Sequence, residues 1–143
     1  MFSVLRPRVI PCLLLRNTQL VKSVRFEAPT YVGDPRNAVK IFNDKEADEL
    51  VLLDITATSQ GRGPDFELLH EIVTESFMPV AYGGGVTHPD EVKRIIGLGV
   101  EKVVINTAAI HNPVLLEKAA RDVGNQSIVA SVDAKRTGLL RRH

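Results

Sequence analysis

The sequence has no tryptophan, a single cysteine and almost no excess of charge: 18 lysines and arginines stand against 17 aspartates and glutamates, a formal net charge of +1. Without a basic or acidic block there is no electrostatic footprint for nucleic acid or an anionic membrane surface, and neither partner is expected. The lone Cys12 can form no internal disulfide. Its spacing from His70, His88, His111 and His143 matches no metal-ligand pattern, so no metal and no other cofactor is expected. The same scarcity of cysteine makes a reducing cytoplasm the expected compartment. Long hydrophobic runs are missing too. Arg6, Pro7, Arg8 and Pro11 interrupt the apolar N-terminal stretch, which is neither a signal-peptide core nor a span of about 20 residues.

What is present suits one globular domain over residues 1–143: 44% hydrophobic residues against 24% charged, with no linker and no low-complexity stretch. Five short runs rich in leucine and β-branched residues cover 8–15, 49–55, 78–83, 102–106 and 127–133. They are continuous rather than alternating, as in parallel strands buried on both faces. Four segments of helical period separate them. Ala38, Ile41 and Phe42 mark the first, with Asp34 as N-cap and Pro35 in its first turn; Phe66, Leu69 and Val73 mark the second. Val92, Ile95 and Ile96 mark the third, which ends at Gly99. The fourth carries Leu115, Leu116, Ala119, Ala120 and Val123 between an Asn112–Pro113 start and a Gly124 stop. The order βαβαβαβαβ predicts an α/β fold with right-handed parallel crossovers. Residues 16–33 are long for a βα connection and read either as a lid carrying Lys22 and Arg25 or as a small β-hairpin.

Ligand sites of parallel α/β folds lie beyond the carboxyl ends of the strands. There the runs deliver Leu14 and Leu15, then Asp54 and Thr56, then Gly83, Gly84 and Gly85, then Asn106 and Thr107, and last Asp133 and Lys135. A carboxylate at a buried strand end needs a partner or a use, so Asp54 and Asp133 are either acid–base groups or loop caps. The "YGGGV" run offers bare backbone amides to an anion or serves a tight turn; beside Asn106 and Thr107 it makes a modest phosphate site. At the opposite strand ends Arg8, Glu49 and Lys102 form a mixed-charge rim that, on the residues alone, reads as a solvated edge.

Taken in order, "RVIPCL", "GDP", "ADELVLLDITA", "YGGGV", "KVVINTAA" followed by "NP", and "VDAKR" resemble the cyclase subunit of imidazole glycerol phosphate synthase over essentially the whole chain. The resemblance implies the first four βα units plus strand 5 of a (βα)₈ barrel, an incomplete barrel in which the chain is a fragment of about half the family's length. It implies a lyase that cyclises a substrate with a phosphate at each end. The ammonia comes from a separate glutaminase subunit docked at the N-terminal face of the strands, and the reaction releases imidazole glycerol phosphate for histidine synthesis and an aminoimidazole ribotide. By position, Asp133 resembles one of two catalytic aspartates and Lys22 the lysine of a mobile first loop. Gly84, Gly85, Asn106 and Thr107 resemble one phosphate site, Cys12 and Asp54 supporting positions near the substrate, and Arg8, Glu49 and Lys102 three members of a charged ammonia gate.

The departure is Leu14, which stands where the resemblance implies the other catalytic aspartate. Leucine transfers no proton, so whether the chain is an enzyme stays open. One alternative is a divergent paralogue that conducts ammonia to a partner amidating a surface-polysaccharide sugar; another is a half-barrel that pairs with itself.

Overall fold

The computed structural model describes residues 6–25 and 27–134. Seven strands form one sheet: β1 Cys12–Arg16, β2 Gln19–Val24, β3 Glu27–Gly33, β4 Leu50–Asp54, β5 Val80–Gly83, β6 Lys102–Ile105 and β7 Ile128–Ala130. Among the described residues five α-helices accompany them, α1 Pro35–Asp44, α2 Phe66–Glu75, α3 Pro89–Gly97, α4 Thr107–His111 and α5 Val114–Val123, with a 3-10 turn at Asn125–Ser127. The strand order is β3-β2-β1-β4-β5-β6-β7, with β1, β4, β5, β6 and β7 parallel and β2 and β3 antiparallel. Among the described residues the sheet does not close, since β3 and β7 each have one neighbour. This is an open part of a (βα)₈ barrel.

Residues 16–33 form a hairpin. Asn17 and Thr18 both have positive φ, 49° and 66°, the two-residue turn whose twist matches that of the strands it joins. The first parallel strand is shorter than the 8–15 run, because Pro11 has no amide to give a ladder, although its carbonyl still accepts from Val51. Arg8 therefore precedes the strand. The last strand covers three residues rather than 127–133; among the described residues only β6 flanks it.

Helix α1 begins as its sequence indicates, with Asp34 accepting from the Arg36 amide at 2.8 Å and Pro35 in the first turn. Its packed face is Pro35, Ala38, Val39 and Phe42, a spacing of three, four and seven; Ile41 points outward and is exposed. In α2 the buried residues are Leu68, Leu69 and Ile72, with Phe66 and Val73 only partly covered. Helices α3 and α5 bury the expected Val92, Ile95, Leu115 and Ala119. The helices cover one face of the sheet, where Leu50, Leu52, Val80, Tyr82, Val103 and Ile105 are almost solvent-free. The alternate residues face the other way, toward the inside of the open barrel.

Candidate functional site

On that inner face, at the carboxyl ends of the parallel strands, lies a cavity of about 770 Å³. Its size is that of a small-molecule site. Eight of the residues singled out from sequence line it: Leu14, Asp54, Gly83, Gly84, Gly85, Asn106, Thr107 and Asp133. Thr107 is the first residue of the short helix α4 and not a strand end, a turn of helix that periodicity is too short to reveal.

The two strand-end aspartates differ. The Asp54 side chain is 5% exposed, and its Oδ1 accepts from the Thr56 amide at 2.9 Å, the Thr56 hydroxyl at 3.0 Å and the Ala57 amide at 3.0 Å. Its Oδ2 accepts from Arg62 at 3.3 Å. Both oxygens thus organise the loop from 55 to 65, which is the loop-cap reading of this residue. Arg62, held by Gln60 at 2.7 Å, drew no attention in the sequence; its only signal there is a basic residue between two loop glycines. Asp133 is exposed, and its Oδ2 accepts from Asn106 Nδ2 at 2.8 Å. Asn106 sits at φ −109°, ψ −86°, outside the regular regions, between β6 and α4.

The glycines pack against the Asp54 loop. Gly84 has φ +132°, and a Cβ there would lie 2.6 Å from the Asp54 carbonyl; one on Gly85, at φ +69°, would lie 2.4 Å from the Arg62 carbonyl. Close packing alone accounts for both glycines. The Tyr82 hydroxyl donates to the Gly84 carbonyl at 3.1 Å. Burial, with the charge of Asp54 adding to it, pushes that phenol well above its usual range, so it remains a donor at any ordinary pH.

Lys22 is exposed on β2 and does not line the cavity, whereas its neighbour Ser23 does. Cys12 opens β1 at the far end of the strand from the cavity. His111, Asn112 and Ser131 are lining residues that sequence reasoning did not select. Lys135 lies outside the described residues.

Arg8, Glu49 and Lys102 do meet, at the opposite strand ends. Glu49, its side chain 7% exposed, accepts from Lys102 at 2.7 Å and lies 3.6 Å from Arg8; Lys102 also reaches Glu101 at 2.9 Å. The hydrogen bond to Glu49, followed by that to Glu101, holds the Lys102 ammonium above its usual range. Among the described residues no three metal-ligating side chains converge, and no helix is long and apolar enough to cross a membrane.

A family model described as "Histidine biosynthesis protein" matches residues 8–142. A protein of Leptospira interrogans provisionally named imidazole glycerol phosphate synthase subunit HisF is 46% identical over 139 residues, 97% of this chain and 55% of the relative. A Pseudomonas aeruginosa protein, provisionally named subunit hisF2 of the same synthase, is 51% identical over 131 residues, 92% of this chain and 52% of its own. One from Campylobacter jejuni, with the same provisional name, is 40% identical over 134 residues, 94% and 54%. The chain spans about half the length of these curated relatives.

Proposed function

Because the chain belongs to the histidine biosynthesis protein family, we propose that it serves as a cyclase subunit of the imidazole glycerol phosphate synthase type, cytoplasmic and paired with a glutaminase subunit. The observation that carries this reading is that two polar groups lie at opposite ends of the parallel strands: the Asn106–Asp133 pair in the cavity and the Arg8–Glu49–Lys102 cluster below it. Ammonia released by the partner at the N-terminal face passes the ion cluster and rises along the inner face. A phosphate of the substrate rests on Gly84, Gly85, Asn106 and Thr107. Asp133 has lone pairs beyond the one taken by Asn106 and acts as the acid–base group of ring closure. Asp54 supports the site by holding the loop from 55 to 65 beside the cavity.

Products of this reaction are imidazole glycerol phosphate and an aminoimidazole ribotide. The test completes the barrel with the C-terminal half of the Leptospira interrogans relative and follows ammonia-dependent turnover of the cyclase substrate. Asp133→Asn is expected to lower turnover at least about tenfold; unchanged turnover sinks the assignment.

Leu14, an apolar side chain within the cavity, favours a second reading, an ammonia conduit for the amidation of a surface-polysaccharide sugar. In that case Asp133→Asn leaves function intact, while Glu49→Gln uncouples glutamine hydrolysis from amidation.

A further inference from the structure

We infer that the cavity accepts phosphomonoesters whose other end is a flat apolar group, and that Leu14 is the residue setting this preference. The inference rests on the phosphate reading above and departs from the cyclase substrate, which carries a phosphate at each end. Leu14 lies opposite Leu53, Leu53 opposite Gly83, and Gly83 opposite Val104, so the four form one row across β1, β4, β5 and β6. All four line the cavity. A Cβ on Gly83 would lie 2.9 Å from Val104 Cβ and 3.0 Å from Leu53 Cδ2. The two side chains therefore lean over the glycine and close the row into a continuous apolar wall.

No side chain in this row donates or accepts a hydrogen bond. A polyol lying along it would lose its hydration without replacement, whereas an aromatic face would lose nothing and gain contact. Asn106, Thr107 and Asp133 gather at one end of the cavity, after β6 and β7. From the glycine loop after β5 back to Leu14 on β1 is two strand spacings, about 10 Å. An ester whose phosphate rests on that glycine loop and whose length is about this span ends on Leu14.

The experiment titrates the chain with inorganic phosphate, glycerol 3-phosphate and 2-naphthyl phosphate by calorimetry, with amide chemical shifts locating the site. The naphthyl ester is expected to bind at least about tenfold tighter than glycerol 3-phosphate. Leu14→Asp should abolish that preference while changing glycerol 3-phosphate affinity less than about threefold. Val104→Thr keeps the shape of the wall and adds one hydroxyl; it should weaken the preference about threefold, and it preserves the test if Leu14→Asp does not fold. Equal binding of the two esters, or a preference that survives both substitutions, overturns the inference while leaving the phosphate reading standing. Failure of all three ligands to bind overturns the phosphate reading and this inference with it.

Discussion

Asp54, Glu49 and Asp133 all stand at ends of parallel strands, and their surroundings divide them. Asp54 and Glu49 are buried and partnered by cations, one at each end of β4, and Asp54 has three further donors from its own loop. Asp133, after β7, is exposed and among the described residues receives a single bond, from Asn106. The same side chain therefore does different work in the two regions. Around β4 the charge holds loop and rim in shape, because removing a partner would strand it away from water. Beside β7 most of the carboxylate is free to meet something else.

Substitution tests that division most sharply at Asp54. Asp54→Ala removes the acceptor of four hydrogen bonds, and urea unfolding should show a loss of about 3 kcal/mol. Retention of full stability would mean that the loop from 55 to 65 holds itself together without the carboxylate. Lys102→Met leaves Glu49 with the distant and mostly exposed Arg8, and should cost about 2 kcal/mol in the same measurement. This effect has a pH signature. The Lys102 ammonium is held above its usual range in the fold, so its contribution is fully present below the ordinary lysine value of about 10.4 and is lost as pH rises through the folded value. Alkaline unfolding of the unaltered chain should include that loss, and unfolding of Lys102→Met should not. Asp133→Ala gives the smallest effect, within about 0.5 kcal/mol, because an exposed carboxylate with one amide partner contributes little to folding. A loss near that of Asp54→Ala would erase the contrast and make Asp133 a structural residue.

Much of the architecture could be read from local patterns. Asp34 with Pro35, and Gly124 after α5, mark helix ends by chemistry that acts within a few residues, and the structure has those ends. Where pattern reading slipped, the reason was also local. Ile41 lies next to the packed face of α1 in a short helix, and Val39 takes the place in the core. The sequence leaves a hairpin and a lid as alternatives, and the structure decides for the hairpin, with positive φ at Asn17 and Thr18 and no glycine to announce it. The missed residues, Arg62 and His111 among them, lie in a loop and at the end of a five-residue helix, where no periodicity operates.

By itself the sequence determined that this is a parallel α/β chain with polar residues and glycines at its strand ends, since continuous apolar runs, caps and turn residues are short-range signals. It also determined, through six ordered blocks of residues, the resemblance that the family match bears out. Only the tertiary structure decided which aspartate is held and which is available. Asp54 takes Arg62 from eight residues along a folded loop, Asp133 takes Asn106 from the neighbouring strand's end, and Glu49 takes Lys102 from 53 residues away. Strand order and register set those pairings, and both arise from burying the whole sheet under its helices rather than from any stretch of chain read alone.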